Sequence, residues 1–199
     1  MMGAEAIVTK AELLKRHVVI KERIRKDYRI AELDERLRRE RTRAEARLLH
    51  KAKLAGVDCP TVLEVDDFSI TMTLIDGERP RPETQDARRA GEMLALLHSA
   101  DIIHGDFTPA NLILSGRKLY VIDFGLGFLS KDIEDKAIDV YTMLKALDER
   151  CGGAFVEGYC AEYLKLGTGN RTPNPKHKTT ADTILRRVED VKKRVRYAT

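Results

Sequence analysis

No apolar run in the 199 residues approaches the roughly 18 needed to cross a bilayer, and the opening MMGAEAIVTK lacks the basic-then-apolar plan of a secretory leader. These absences predict a cytoplasmic protein with no membrane partner. Cysteine is scarce. Cys59, Cys151 and Cys160 are odd in number and none sits in a Cys-x-x-Cys pair, which argues against both a disulfide framework and a zinc site and leaves three reduced thiols. Repeats and low-complexity tracts are missing as well. With 43% apolar and 34% charged residues, the chain has the material for one sizeable domain or two small lobes with real cores.

Charge is abundant but unevenly placed. Residues 1–55 hold 16 Lys and Arg against 9 Asp and Glu, residues 56–170 hold 11 against 20, and residues 171–199 hold 9 against 3. Basic ends around an acidic middle point to a polyanion partner at the ends and metal-binding carboxylates in the centre, or else to solvated helix faces.

The hydropathy pattern predicts a strand at HVVIKER (17–23) and a long helix over 31–56 closed by Gly56. At 100° per residue, Leu33, Leu37, Ala44, Leu48, Ala52 and Ala55 share one face of that helix within about 100°, with Glu45 on the same apolar side between Ala52 and Leu49, and Arg36, Arg39, Arg43 and Arg47 line the other. Two short strands follow about an Asp66-Asp67 turn (61–77), then the break ERPRP (78–82). Beyond it the pattern reads as a helix from Thr84, its expected N-cap, a loop and hairpin over 104–125, and helices over 132–149, 152–167 and 180–199. The fold class is α+β: a β-rich lobe with one helix, a hinge, and a helical lobe.

HGDFTPANLIL (104–114) places a His, an Asp and an Asn in a short apolar segment, and LYVIDFGLG (119–127) follows across the turn SGRK. Asp and Asn are ordinary turn residues; two such motifs joined by one short turn are a stronger signal than one. Asp106 and Asn111 have the Asp-x-x-x-x-Asn spacing of a kinase catalytic loop, in which the Asp receives the nucleophile's proton and the Asn holds Mg²⁺. Asp123, in Asp-Phe-Gly, is the matching metal carboxylate. Lys21 ends VVIK, the strand whose Lys reaches the phosphates, and Glu45 on an apolar helix face needs a cation partner, for which Lys21 is the candidate. His98 reads as a hydrogen-bonded support, because no second His or Cys lies at ligand spacing; His104 reads as an orienter of its own loop.

Strand Lys, helix Glu, hinge, His-Gly-Asp…Asn and Asp-Phe-Gly, in that order, resemble the eukaryotic-like protein kinase fold over nearly the whole chain. More narrowly, GAEA, VVIKER, DERLRRERTRAEARLL, HGDFTPANLIL and VIDFGLGFLSKDIEDKAIDVY are similar to the kinase subunit of the KEOPS (EKC) complex, a small atypical serine/threonine kinase/ATPase family. The resemblance implies a two-lobed protein-kinase-like fold with an N-lobe over 1–72, a hinge over 73–78 and a reduced C-lobe over 79–199. It implies ATP and Mg²⁺ as cofactors, with ATP held by Gly3, Ala4, Glu5, Val8, Lys21, Glu45, Thr73, Leu74 and Ile75, catalysis at Asp106 and Asn111, and metal at Asn111 and Asp123. It also implies a role in making threonylcarbamoyladenosine in tRNAs that read codons beginning with A, beside a threonylcarbamoyltransferase and other KEOPS subunits. A basic tail, Lys192, Lys193, Arg194 and Arg196, would help hold tRNA.

Departures from ordinary kinases fit the narrower family. Gly105 stands where His-Arg-Asp has Arg, removing the cation that receives a phosphorylated activation loop. Only 15 residues separate Asp123 from Asp139, which resembles the Asp that braces the catalytic loop, and they contain no Ala-Pro-Glu to dock a peptide. Two other readings compete: a small-molecule phosphotransferase of the aminoglycoside type, which also has a His-Gly-Asp loop but needs more than the roughly 25 residues available between hinge and loop for its substrate helices, and a scaffold using nucleotide only as a switch.

Overall fold

The computed structural model describes residues 6–81, 83–166 and 175–197. Gly3, Ala4 and Glu5, expected over the phosphates, lie outside them, as does the side chain of Arg196. Strands β1 (Ala6–Leu13) and β2 (Arg16–Arg23) form a hairpin in continuous register, Ala6 opposite Arg23 and Leu13 opposite Arg16. Its turn, Leu14-Lys15, holds both residues at positive φ, 49° and 61°. That backbone matches the twist of a hairpin, but it is made here without the Asn-Gly or Asp-Gly that ordinarily announces it. The sequence reading accordingly places no strand at β1.

β2 pairs antiparallel with β4 (Ser69–Thr73), and β4 with β3 (Val62–Val65), giving the sheet order β1-β2-β4-β3. The β3–β4 turn lies at Asp66-Asp67 as expected, with the Asp66 N–H donating to Ser69 O at 2.9 Å. Helix α1 (Ala31–Leu54) packs against β3 and β4 and ends before Gly56, whose φ of +87° suits a residue without Cβ. Its second half buries Ala46, Leu48, Leu49 and Ala52. The first half departs from the expected apolar stripe: Leu33 is 40% exposed, and Asp34 and Thr42 are buried instead. Polar ties replace apolar packing there. Asp34 accepts from Arg38 Nε at 2.7 Å and from the Lys26 N–H at 3.3 Å, and the Arg38 guanidinium stacks 4.0 Å from the Phe68 ring centroid.

The segment after β4 is pinned at both ends. The Leu74 N–H donates to His17 O at 3.2 Å, and Glu78 exchanges two backbone bonds with Leu114, of 3.0 and 2.7 Å. Among the described residues between Gly77 and Ile102 the chain forms one helix, α2 (Thr84–Ser99). Its N-cap position is Glu83, in extended conformation and without a side-chain cap bond, so Thr84 is the first helical residue and not the cap. The hairpin of β6 (Leu112–Ser115) and β7 (Lys118–Val121) follows, and the short strands β5 (Ile102–Ile103) and β8 (Phe128–Leu129) pair beside it.

Helices α3 (Ile133–Ala146), α4 (Glu149–Leu166) and α5 (Pro175–Tyr197) complete the described chain. α2 packs along α4 and α3 along α5, burying Leu94, Leu97, Val140, Phe155, Tyr159, Ile184 and Val188. At about 25 cal/mol per Å² of apolar surface, each of those aliphatic side chains contributes about 1.5–3 kcal/mol on burial, which is why two layers of helix suffice to support the loops between them. All three cysteines are free thiols, and burial pushes Cys59 up to about 11. Among the described residues no helix is long and apolar enough to cross a membrane.

Candidate active site

Successive strand residues face opposite ways, so Lys21 and Arg23 on β2 share a face, and both reach Glu45 on α1. Lys21 Nζ lies 2.6 Å from Glu45 Oε1, and Arg23 Nη2 lies 2.7 Å from Oε2. The carboxylate is buried, and two full cation contacts are what make such burial tolerable. Lys21 Nζ also lies 2.7 Å from Asp123 Oδ1, joining the sheet to the Asp-Phe-Gly turn. Val8 stands directly opposite Lys21 in the β1–β2 ladder, where paired side chains share a face.

Asp123 occupies the left-handed region at φ 62°, rare for a residue with a Cβ. Burial raises the pKa of its carboxyl, but the Lys21 charge and hydrogen bond, with the Gly125 N–H, outweigh it and hold the group below the usual carboxylate range. Asp123 is therefore anionic at neutral pH.

Across from it, a single 3-10 turn at Pro109–Asn111 brings Asn111 back over Asp106. Asn111 Nδ2 donates to Asp106 O at 2.8 Å and to Asp106 Oδ2 at 2.9 Å, leaving Oδ1 as the amide's acceptor. His104 ties the two aspartate segments together. Its Nε2 donates to Ile122 O at 3.1 Å, beside Asp123, and its Nδ1 accepts the Asp106 N–H at 3.3 Å. That tautomer is neutral, in agreement with the burial that lowers the His104 pKa.

Asp139 on α3 supports the loop from below. It accepts the backbone N–H groups of His104 at 2.6 Å and Gly105 at 2.9 Å. His98 Nε2 lies 3.4 Å from the same carboxylate, and His98 Nδ1 lies 2.7 Å from the Tyr159 hydroxyl, so His98 is the buried support the sequence suggests. Gly105 has φ +81°, and a Cβ there would run into the backbone of Leu126. The position that carries Arg in ordinary kinases has no room for a side chain.

Of the expected hinge residues, Thr73 donates its N–H to Thr61 O and Leu74 to His17 O, so both amides are spent within the N-terminal region. None of the described bonds engages Ile75. Three arginines of the α1 ridge are answered by acids, Arg39 and Arg43 reaching Asp67 at 3.1 and 3.4 Å and Arg36 reaching Glu40 at 4.0 Å, while Arg47 Nε donates to the Arg43 carbonyl at 3.1 Å. In the tail, Lys192 pairs with Glu189 at 2.8 Å and Arg194 with Glu134. Arg23 and Tyr159 escape sequence reasoning. For Arg23 a signal exists, its two-residue spacing from Lys21; for Tyr159, in an apolar helix, there is none.

The acidic donors suit a hard divalent cation that keeps water and phosphate oxygens in its shell. Asp123 and Asn111 Oδ1 offer oxygen ligands, and no three His, Cys, Asp or Glu side chains converge on a closed metal cage among the described residues.

A four-stranded sheet carrying a Lys–Glu pair, set above a helical half with Asp106, Asn111 and Asp123 at its upper edge, defines a phosphotransferase of the protein-kinase-like class. The chain matches the RIO domain family over residues 15–134, and residues 101–173 match the phosphotransferase enzyme family. It is 44% identical over 169 residues to the "probable serine/threonine-protein kinase BUD32 homolog" of Archaeoglobus fulgidus, covering 81% of this chain and 85% of that one. It is 40% identical to the "KEOPS complex subunit Bud32" of Pyrococcus abyssi, over 82% of this chain and 81% of that one. The chain belongs to the Bud32 family of RIO-domain proteins.

A "probable bifunctional tRNA threonylcarbamoyladenosine biosynthesis protein" of Methanosarcina mazei is 37% identical over 98% of this chain, which spans 35% of that protein's length. Among solved structures, the fold resembles a macrolide 2'-phosphotransferase from Brachybacterium faecium (TM-score 0.62, 16% identity, 92% of this chain and 80% of that one). It also resembles the Rio2 kinase of Chaetomium thermophilum in complex with ADP, Mg²⁺ and phosphoaspartate (TM-score 0.58, 14% identity, 100% and 70%).

Proposed function

We propose that this chain binds Mg²⁺-ATP in the cleft between its sheet and its helical half and acts as an atypical serine/threonine kinase or ATPase. Its setting is the KEOPS complex, beside the threonylcarbamoyltransferase and other subunits, in the modification of tRNA. The observation that carries the reading is the Lys21 ammonium held between Glu45 and Asp123, at 2.6 and 2.7 Å. Phosphoryl transfer needs a cation on the phosphates, oxygen ligands for a metal and an orienting base, and little else.

Lys21 takes the phosphates, with Glu45 fixing its direction. Asp106 orients the attacking oxygen and accepts its proton, positioned by Asn111 and by the His104 bond to its backbone. Asn111 Oδ1 and the Asp123 carboxylate hold Mg²⁺, which when bound neutralises charge on the phosphates. Val8 and Ile75 border the adenine from the two sides of the cleft, and the basic tail meets tRNA. The lobes divide at 72/73 and 78/79, the pinned segment between them serving as the hinge.

The form of the chain favours this over a small-molecule phosphotransferase. α2 is the one helix between Gly77 and Ile102, so the region that would house a substrate pocket is missing among the described residues. From Asp123 to the start of α3 at Ile133 the chain makes only β8 and turns, too little for a peptide-docking segment. ATP turnover measured alone, with the transferase subunit, and with that subunit plus tRNA tests the proposal. Turnover that rises on adding both supports it; absence of ATP binding and turnover in all three overturns it.

A further inference from the structure

Arg23 contributes a second cation to Glu45 that a lysine–glutamate pair does not require. We infer that Arg23 is a positioning residue: by taking Glu45 Oε2 it aims Oε1 at Lys21 and keeps α1 in the paired position, so that the pair is a constant of the fold and not a switch. The inference rests on the reading of Lys21 as the phosphate-binding lysine.

Three observations support it. The first is geometry. A carboxylate held by one oxygen can rotate; Glu45 is gripped at both, by cations two residues apart on one strand, at 2.6 and 2.7 Å.

The second is charge. Lys21 faces two carboxylates, Glu45 and Asp123, so without Arg23 the cluster would carry a net negative charge next to a buried group. The Arg23 side chain is 4% exposed against 11% for Lys21, so it is the more deeply buried of the two cations. When Lys21 turns toward phosphate, Glu45 retains a counter-charge and is not left as a buried, unpaired anion.

The third is mechanical. The Arg23 carbonyl accepts from Arg38 Nη1 at 3.4 Å, and Arg38 also holds Asp34, which takes the Lys26 N–H. α1 is thus tied to the end of β2 twice, by Arg38 to the Arg23 carbonyl in the half that has little apolar packing and by Glu45 to the Arg23 side chain in the half that packs. A helix so attached cannot swing outward without breaking buried charge pairs.

The test uses the full chain with Arg23→Ala, Arg23→Lys, Glu45→Ala and the Arg23→Ala/Glu45→Ala double variant. ATP turnover is measured at temperatures where each is folded by circular dichroism. Arg23→Ala is expected to lower kcat/KM by about 10- to 100-fold, the scale on which outer partners of site groups act. Arg23→Lys should recover part of that loss. In the Glu45→Ala background the same substitution should cost less than about twofold, because Arg23 works through Glu45. A full loss in that background would mean that Arg23 acts on the nucleotide directly, and wild-type activity in Arg23→Ala would mean that it positions nothing. Either result overturns the inference.

Amide hydrogen exchange supplies an arm independent of turnover. In the wild type, residues 42–49 of α1 should exchange slowly and equally with and without ATP, and Arg23→Ala should speed them while leaving α2 unchanged. Unaltered α1 exchange in Arg23→Ala overturns the helix anchoring even if the wild type turns out to have no phosphotransferase activity, so the two ideas fail separately.

Discussion

Asp139 on α3 accepts the backbone N–H of His104 at 2.6 Å, across 35 residues of sequence, and with its other oxygen takes the N–H of Gly105. One carboxylate thus sets the direction in which the loop presents Asp106. The same carboxylate anchors His98, itself bonded to Tyr159, so α2, α3 and α4 all converge beneath the loop.

A pH effect on stability follows. Burial lowers the pKa of both His98 and His104, against the opposing pull of Asp139. The unfolded chain takes up protons as pH falls through about 6.5, while the folded chain does not until lower pH, so stability is full above that value and declines below it. Urea unfolding at about pH 7.5 and pH 5.5 should show the loss, and His98→Gln should weaken the dependence. Equal stability at both pH values would mean that the buried imidazoles are not neutral.

The two aspartates should separate in function. Asp123→Asn is expected to abolish Mg²⁺-dependent turnover and weaken nucleotide binding, whereas Asp106→Asn should abolish turnover and leave binding nearly intact. Calorimetric titration with ATP and Mg²⁺ distinguishes them; equal losses of affinity would contradict the assigned roles.

Lys21→Ala and Glu45→Ala should each reduce ATP use strongly, with the double variant little worse than either, since groups that act as a unit are not additive. Losses that multiply would mean that Glu45 serves something other than Lys21.

Gly105→Ala should destabilise the fold by at least about 2 kcal/mol, because a left-handed residue with a Cβ costs about 1–2 kcal/mol before any clash with the Leu126 backbone is counted. Gly105→Arg should be worse and should restore no response to phosphorylation. Denaturant midpoints near the wild type's would show that the loop can move aside.

The tail test is better made by substitution than by truncation, because Val191 is buried against the rest of the C-terminal half. Replacing Lys192, Lys193 and Arg194 by Gln should weaken tRNA binding by the assembled complex. It should also lower the slope of log affinity against log salt by up to about two to three units, less if the ion pairs to Glu189 and Glu134 persist. An unchanged slope would reduce the tail to an ordinary charged helix end.

What could be read without coordinates is what the chain encodes at short range or by period. The spacing of Asp106 and Asn111 is set by a handful of bonds, Asp-Phe-Gly is contiguous, and a Glu on an apolar helix face already asks for a cation. The kinase-like order of elements was legible for the same reason. Tertiary structure decided the rest. Strand β1 exists because β2 offers it a ladder, around a Leu-Lys turn with no glycine. Asp34 goes inward because the Arg38 guanidinium and the Lys26 N–H satisfy it, and Thr42 because its hydroxyl donates to the Arg38 carbonyl, while Leu33 is left out. Thr84 loses the cap to Glu83, and Arg39 and Arg43 of α1 find Asp67 in the β3–β4 turn. Arg23 reaches Glu45 from 22 residues away and Tyr159 reaches His98 from 61. Such partners are chosen by which elements pack together and how deeply they exclude water, and no local stretch of sequence specifies either.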